Sequence, residues 1–327
     1  MDIKAIKEHL GEDWLSVTRR MTSALQSDID LLNSTNDTIL SHSGKQLRPL
    51  LALLFARACS GGKVCDATIG YAAAGELLHN ATLLHDDVAD DSDQRRGVPT
   101  IRSLMGPSVS VLVGDYWLVK AMEIILDHTE AGTEVMKIFS KTLRDLAEGE
   151  MLQLQKAQNG NTDEKDYLKI IYDKTASLFE AACVSAAMSV GAPQTYVRAA
   201  RDYAVALGIA FQIKDDILDY DGTESVGKPL GVDILEQKMT MPLLGAMKNA
   251  GTQEELRIRA MVKDIVSCPE NRDGIVAFVK ENGGLEYAVN ALERYVEDAV
   301  SALAVLPDSF EKDCLVELAH FTAKRKM

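Results

Sequence analysis

Apolar residues recur at helical spacing along almost the whole chain. Their side chains return every three or four residues, as on one face of an α-helix. The pattern is clearest at Leu15, Val17, Met21, Leu25, Ile29, Leu32, Leu50, Leu51, Leu54 and Phe55. Strand-like alternation between turn signals is missing, and no repeat of about 20–50 residues is apparent. The pattern therefore predicts an all-α protein.

Short clusters of turn-forming residues divide this helical pattern. Glycine with a proline, aspartate, asparagine, serine or second glycine within two residues favours a turn over a continuing helix. Such clusters lie at 60–62, 96–99, 106–107, 159–161, 191–193, 221–222 and 227–229. They predict about a dozen helices. None is long or biased enough to serve as an interdomain linker, so residues 1–327 are expected to form one domain.

Composition and charge narrow the range of partners. The 327 residues are 46% hydrophobic and 26% charged, as in ordinary globular proteins. A formal net charge of −14 argues against nucleic acid, because nucleic-acid-binding surfaces are usually basic. No segment resembles a signal peptide or approaches the roughly 20 apolar residues of a membrane span. A cytoplasmic protein without stable membrane insertion is expected.

Cysteine and histidine spacing adds no competing chemistry. The five cysteines are scattered and show no CxxC pair, and the six histidines form no HExxH pattern. Neither a disulfide framework nor a zinc site is indicated.

Two acidic clusters follow strongly apolar helical segments. The first, LLHDDVADD, ends a helix that is expected to begin near Asp66, and it places Asp86 and Asp90 one helical turn apart. The second, FQIKDDILD, repeats this spacing with Asp215 and Asp219. Each segment therefore presents a face of carboxylates.

A nearby cation would stabilise these stacked carboxylates. They repel one another, and near a helix C-terminus they also oppose the helix dipole. Mg²⁺ is favoured because it takes oxygen ligands, keeps several waters and is often completed by substrate phosphates. The alternative, two solvated acidic helix ends, would place the same charge cluster twice on helices whose other residues look buried.

Basic residues flank both acidic clusters. Arginine offers a planar fork to phosphate oxygens and lysine offers a compact charge, so together they could bind diphosphates beside Mg²⁺. The flanking residues are Lys45, Arg48, Arg95, Arg96, Lys174, Lys228 and Lys238.

The order of these short motifs is distinctive. In chain order they are Gly44-Lys45-x-x-Arg48-Pro49, Glu76-Leu77-Leu78-His79, His85-Asp86-Asp87-x-x-Asp90, Arg95-Arg96-Gly97, Val113-Gly114-Asp115-Tyr116, Gly149-Glu150-x-x-Gln153, Lys174-Thr175, Gln212-x-x-Asp215-Asp216-x-x-Asp219 and Gly227-Lys228-x-x-Gly231-x-Asp233. From about residue 44 to 245 this set resembles the trans-isoprenyl diphosphate synthases, the polyprenyl synthetase family.

The resemblance implies a fold and an activity. The fold would be a single-domain isoprenoid synthase helical bundle around a central apolar cavity. The activity would be Mg²⁺-dependent condensation of an allylic diphosphate with isopentenyl diphosphate, repeated head to tail to give an all-trans polyprenyl diphosphate. A homodimer and about three Mg²⁺ ions per substrate-bound active site are implied as well.

The resemblance also implies individual roles. The metal ions would be held by Asp86, Asp87, Asp90, Asp215 and Asp219, with Asp216 in support. The allylic diphosphate would be contacted or steered by Arg95, Lys174, Thr175, Gln212, Lys214, Lys228 and Lys238. Isopentenyl diphosphate would be bound by Lys45, Arg48, His79 and Arg96. The basic end, Lys324-Arg325-Lys326, receives no role.

Product length would be set before the first cluster. Family members that make short products often carry bulky aromatics four or five positions ahead of the first aspartate, where this chain has Thr82 and Ala81. Small Ala81 leaves that level of the cavity open and resembles the long-chain members. If a bulky side chain closes the cavity lower down, a short-chain farnesyl or geranylgeranyl diphosphate synthase is the alternative. A long product would favour contact with a membrane surface.

Two other functions compete with this reading. A class I terpene cyclase shares the fold and the first acidic motif, but its second motif is usually based on asparagine, serine and glutamate. Lys45, Arg48 and Arg96 would have no purpose in a cyclase. A catalytically silent partner subunit would be expected to lose ligands, whereas both aspartate clusters are complete.

Overall fold

The computed structural model describes residues 2–42, 44–95, 97–128, 132–221 and 230–325. These residues are overwhelmingly helical, which confirms the all-α class. Backbone contacts group the chain into two compact units. Unit 1 comprises Met1–Ser140, Ala181–Arg201 and Val305–Leu315, and unit 2 comprises Lys141–Glu180, Asp202–Ala304 and Val316–Met327. The expectations of one domain over 1–327 and of a central apolar cavity stay predictions.

The helices of the first third lead to the first acidic cluster and beyond it. They are α1 (Ile3–Leu10), α2 (Glu12–Ala24), α3 (Asp30–Ser41), α4 (Leu47–Ser60), α5 (Asp66–Ala89), α6 (Ile101–Met105) and α7 (Pro107–Leu126). A two-residue antiparallel hairpin, β1 (Gln94–Arg95) and β2 (Val98–Pro99), stands between α5 and α6. The expected start near Asp66 is confirmed.

The remaining chain carries the second acidic cluster and the C-terminal helices. These elements are α8 (Gly132–Asn159), α9 (Glu164–Ile171), a π-helical segment (Tyr172–Ala176), α10 (Ser177–Ser189), α11 (Gln194–Asp221), α12 (Val232–Leu235), α13 (Met241–Ala250), α14 (Thr252–Lys263), α15 (Asn271–Glu281), α16 (Gly284–Ala302), a 3₁₀ turn (Leu303–Val305) and α17 (Phe310–Lys324). No helix in the described part of the chain is both long and apolar enough to span a bilayer.

The prediction of about a dozen helices is too low. Single glycines end helices at Gly11 and Gly251, where φ is 54° and 87°. Only glycine adopts such angles without steric cost. A lone glycine inside a helical pattern is a weak turn signal, which is why these breaks escaped the sequence analysis.

In unit 1, α5 packs closely against α7 and against His128, just beyond the end of α7, at two glycines. The Cβ that alanine would add at Gly114 stands 2.5 Å from Nε2 of His85, and at Gly70 it stands 2.5 Å from Nε2 of His128. Buried Ser110 on α7 also donates a hydrogen bond to the carbonyl oxygen of Leu84 at 2.8 Å. The end of α5 that carries the first acidic cluster is therefore fixed directly against α7.

In unit 2, glycines bring two helices against the π-helical segment. A Cβ at Gly149 of α8 would stand 2.6 Å from Cβ of Asp173, and one at Gly208 of α11 would stand 2.5 Å from Cα of Ala176. Short π segments inside helices often mark functional sites. This one carries Lys174 and Thr175.

Candidate active site

The first acidic cluster ends α5 in a Schellman turn. The backbone N–H of Ser92 donates to the carbonyl of Asp87 at 2.9 Å, and Asp91 adopts φ 54° in the position where glycine is usual. The N–H of Asp90 still donates to the carbonyl of Asp86 at 2.8 Å. Asp86 and Asp90 therefore lie one turn apart, as predicted, at the very end of the helix.

The hairpin after this turn returns Arg95 to the cluster. Its Nε donates to Oδ1 of buried Asp87 at 2.8 Å. Arg102 steadies the intervening loop by donating to Asp91 and, at 2.7 Å, to Asp93. A residue predicted to bind diphosphate thus contacts a predicted metal ligand.

His85 packs beside the same cluster. Its ring lies against Gly114, and its Nε2 is 3.2 Å from Oδ1 of Asp115, close enough for an ion pair but without hydrogen-bond geometry. Gly114 and Asp115 belong to the motif at 113–116, for which the sequence analysis gave no role. Their contact with the residue before Asp86 suggests that the motif supports the first cluster.

The other predicted residues of unit 1 are spread over α4, α5 and the segment before α4. Arg48 is buried in the first turn of α4, whereas Lys45 is exposed. His79 stands two turns before Asp86 on α5, where Ala81 is fully buried. The hydroxyl of Thr82 donates to the carbonyl of His79 at 2.8 Å. Arg96 lies outside the described residues.

The second acidic cluster lies within α11 and is embedded in donors. Buried Asp216 accepts from the Tyr167 hydroxyl at 2.5 Å and from Nε2 of Gln212 at 3.0 Å. The Thr175 hydroxyl donates to Oε1 of Gln212 at 3.0 Å. Burial, and then the charge of Asp233, raises the pKa of Asp216 well above its usual value. Asp216 therefore supports its neighbours from inside the protein.

Asp219 caps a short helix. Its carboxylate accepts from the backbone N–H groups of Val232 at 3.1 Å and Asp233 at 3.2 Å. Burial, and then the charge of Asp219, raises the pKa of Asp233 to about 6, although the Lys238 ammonium lowers it. Lys238 also pairs with Glu236. Predicted residues 219 and 238 thus meet around Asp233.

Asp215 has a partner that the sequence analysis missed. Arg325 donates to its Oδ1 at 2.6 Å and to the carbonyl of Phe211 at 2.8 Å, with the guanidinium 3.8 Å from the Phe211 ring centre. Burial lowers the pKa of Arg325 while Asp215 opposes that shift. The only sequence signal was the basic end at 324–326, which is separated from Asp215 by 110 residues.

Lys174 is held by another of the motifs. Its ammonium pairs with Glu150 and donates to Oε1 of Gln153 at 3.2 Å. Lys214 is half-buried on α11. Lys228 lies outside the described residues. Within unit 2, Lys174 therefore contacts the Gly149-Glu150-x-x-Gln153 motif, and hydrogen bonds link Thr175, Gln212 and Asp216.

The carboxylate donors suit Mg²⁺. Among the described residues, no three His, Cys, Asp or Glu side chains converge into a metal site by themselves. Mg²⁺ is usually bound by one or two carboxylates and completed by waters and substrate phosphates. Asp90 is exposed and Asp86 half-buried, so water reaches both, and the donors are oxygens. These residues fit the ion.

Comparison with known proteins decides the family. The family model described as polyprenyl synthetase matches residues 29–278. The chain belongs to the polyprenyl synthetase family. The octaprenyl diphosphate synthase of Escherichia coli (strain K12) is 36% identical over 330 residues, with 99% of each chain covered. A decaprenyl diphosphate synthase structure from Rhodobacter capsulatus gives a TM-score of 0.90 at 36% identity, also with 99% of each chain covered.

A second solved member agrees with this polyprenyl synthetase fold. The polyprenyl synthase of Caulobacter crescentus CB15 gives a TM-score of 0.89 at 34% identity, covering 100% of this chain and 98% of that one. The predicted family, the isoprenoid synthase fold and the prenyltransferase class are confirmed. The roles of individual residues stay predictions.

Proposed function

We propose that this chain is a Mg²⁺-dependent all-trans polyprenyl diphosphate synthase that extends an allylic diphosphate with isopentenyl diphosphate to a long-chain product. The observation that carries the proposal is the same in both units. Each unit holds a set of aspartates in which one carboxylate forms an ion pair with an arginine. These pairs are Asp87 with Arg95 and Asp215 with Arg325. Acidic donors beside fixed cations suit a metal-bound diphosphate.

The chemistry is electrostatic. Mg²⁺, when bound, supplies Lewis-acid stabilisation of the charge that develops on the departing diphosphate. The residues proposed to hold it are Asp86, Asp87, Asp90, Asp215 and Asp219. Arg95, Lys174 and Lys228 are proposed to neutralise diphosphate oxygens, and the reaction needs no protein nucleophile.

The remaining residues serve binding and orientation in this proposal. Thr175 and Gln212 steer the allylic diphosphate, and buried Asp216 holds Gln212 from behind. Lys45, Arg48, His79 and Arg96 receive isopentenyl diphosphate, and Lys214 and Lys238 steer the allylic diphosphate. A homodimer, a cytoplasmic location and about three Mg²⁺ ions per site belong to the same proposal.

The relatives support both the long product and the metal-bound diphosphate substrate. The E. coli and R. capsulatus relatives are named for octaprenyl and decaprenyl products. The C. crescentus structure is a complex with calcium and isoprenyl diphosphate, a divalent cation and a diphosphate together. Residue 81 is alanine, so no aromatic side chain stands at this position of α5, as the proposed long product requires.

The test is product analysis. Purified protein is incubated with Mg²⁺, labelled isopentenyl diphosphate and farnesyl diphosphate, and the dephosphorylated products are sized, with a chelator as the blank. A ladder that ends well beyond geranylgeranyl is expected, and Ala81→Tyr should shorten it. A stop at or before geranylgeranyl would keep the enzyme class and overturn the chain length. No incorporation with any allylic primer would favour the cyclase or the silent subunit.

A further inference from the structure

We infer that Tyr167, which none of the motifs contains, is a positioning residue for this reaction. Its hydroxyl fixes the Asp216 carboxylate and, through Gln212, sets the direction of the Thr175 hydroxyl. The inference rests on the proposed function, because it assigns a role within the same site.

A continuous chain of hydrogen bonds carries this inference. Tyr167 donates to Oδ2 of Asp216 at 2.5 Å, Gln212 donates to Oδ1 at 3.0 Å, and Thr175 donates to Gln212 at 3.0 Å. Tyr167 is 3% exposed and Asp216 is 2% exposed. Water therefore cannot replace a lost donor easily, and each bond in the chain matters more than it would at the surface.

The hydrogen bonds among these four side chains have fixed donors and acceptors. Both oxygens of Asp216 accept a hydrogen bond, Oδ2 from the Tyr167 hydroxyl and Oδ1 from the Gln212 amide. With its NH₂ group turned to Asp216, the Gln212 side chain can offer Thr175 only its carbonyl oxygen. Thr175 must then donate to Gln212, which leaves the lone pairs of its hydroxyl for a positively charged neighbour such as an allylic cation.

Loss of the Tyr167 hydroxyl would allow the donors and acceptors of these hydrogen bonds to exchange roles. Oδ2 of Asp216 would lack its donor inside the protein, and the carboxyl group could rotate away from Gln212. Without an acceptor fixed beside its NH₂ group, the Gln212 amide could reverse, since the two ends of an amide have nearly the same shape. Gln212 would then donate to Thr175, and the Thr175 hydroxyl would turn its hydrogen outward.

The backbone makes this coupling stiff. Tyr167 lies on α9, which runs directly into the π-helical segment that carries Thr175, so both residues approach α11 from one continuous stretch of chain. They bond to Asp216 and Gln212, which lie one turn apart on α11. Gly208 lets this stretch touch α11 at Ala176. Small shifts at Tyr167 are therefore passed to Thr175.

The experiment compares two tyrosines that bond to carboxylates. Tyr167→Phe removes one hydroxyl and should lower kcat about 10- to 100-fold, with the KM for isopentenyl diphosphate changed less than about 2-fold. Tyr287→Phe is the matched control, because its hydroxyl donates to Glu164, also on α9, at 2.7 Å. It should keep wild-type kcat. Equal kcat for Tyr167→Phe and the wild type would overturn the inference.

A double-mutant cycle separates positioning from general packing. If Tyr167 acts through Thr175, then Tyr167→Phe combined with Thr175→Val should be no slower than Thr175→Val alone. Multiplied losses would mean that the two residues act independently. Should Tyr167→Phe be too unstable to assay, Asp216→Asn interrupts the same chain and must show the same non-additivity. A wild-type protein without any incorporation would instead reject the proposed function itself.

Discussion

The two aspartate sets share one spacing and have different surroundings. The first ends its helix: Asp90 is exposed at the C-cap of α5, and Asp87 is tied to an arginine that a short hairpin returns. The second lies inside α11, where Asp216 is buried and Asp219 caps another helix. Equal spacing in the sequence therefore does not mean equal roles. Water reaches Asp86 and Asp90 of the first set, whereas Asp216 and Asp219 of the second accept hydrogen bonds from fixed donors.

The largest expected effect tests whether both sets are needed. Asp86→Ala and Asp215→Ala should each lower kcat about 1,000-fold, because each removes an oxygen donor from the stabilisation of the departing diphosphate. Asp37→Ala is the control, since Asp37 is exposed on α3 and the variant should keep nearly full activity. Near-native kcat in either main variant would remove that carboxylate from the metal assignment.

The variant of the second set, Asp215→Ala, should also have a lower free energy of unfolding than the wild type. Asp215→Ala leaves the Arg325 guanidinium, whose side chain is 10% exposed, without its carboxylate, at a cost of about 2 kcal/mol in the free energy of unfolding. Asp215→Asn keeps an acceptor oxygen and should recover part of this loss in denaturant titrations while remaining inactive. Equal stability of the two variants would show that the Arg325 contact contributes little.

A smaller effect is expected where α7 supports the first set. In Gly114→Ala the new methyl group must displace the His85 ring, because the nearest ring atom, Nε2, stands 2.5 Å from it. We expect kcat to fall about 10-fold and the Mg²⁺ concentration for half-maximal activity to rise, as when residues that support a ligand are changed. Removing the ring in His85→Ala/Gly114→Ala should restore much of the activity.

The control for this variant lies on the facing helix. Gly75→Ala adds a methyl group to α5 at an ordinary 3.6 Å from Cβ of Ala182 and should change neither kcat nor the Mg²⁺ requirement. A double variant that is no better than Gly114→Ala would contradict the role given to the histidine ring.

The sequence predicted what depends on local spacing. Helical periodicity is a property of neighbouring residues, so the all-α class and the one-turn spacing of Asp86 and Asp90 followed from it. The contact between Arg95 and Asp87 joins residues only eight positions apart and lay within the same cluster of motifs.

What the sequence left out depends on tertiary packing. Tyr167 and Asp216 are 49 residues apart, and Arg325 and Asp215 are 110 apart. Nothing in the spacing of such pairs indicates that they meet. The short helix α12 likewise becomes understandable only when Asp219 is seen to accept its N–H groups. The supporting partners of the second set were therefore invisible, although its own aspartates were not.

The smallest expected effect is the loss of folding stability caused by the close approach of Asp233 to Asp219 in unit 2. Burial and Asp219 raise the pKa of Asp233 to about 6 from a usual value of 3.8, so the folded protein binds this proton more tightly than the unfolded chain. Stability must then fall as the pH rises from about 4 to about 6, and the penalty persists above that range. Asp233→Asn should raise the free energy of unfolding at pH 7 by about 1–2 kcal/mol, since one pKa unit is about 1.4 kcal/mol and water reaches part of the side chain.

Denaturant titrations between pH 4 and 7 with a chelator present measure this difference without a metal ion to offset it. Asp37→Asn, at an exposed position on α3, controls for the loss of one negative charge from an acidic protein. The advantage of Asp233→Asn over that control should shrink toward pH 4, where Asp233 is protonated in the folded state. A constant advantage across this range would mean that the proton on Asp233 is not linked to folding, and that the second set tolerates its crowded charges by other means.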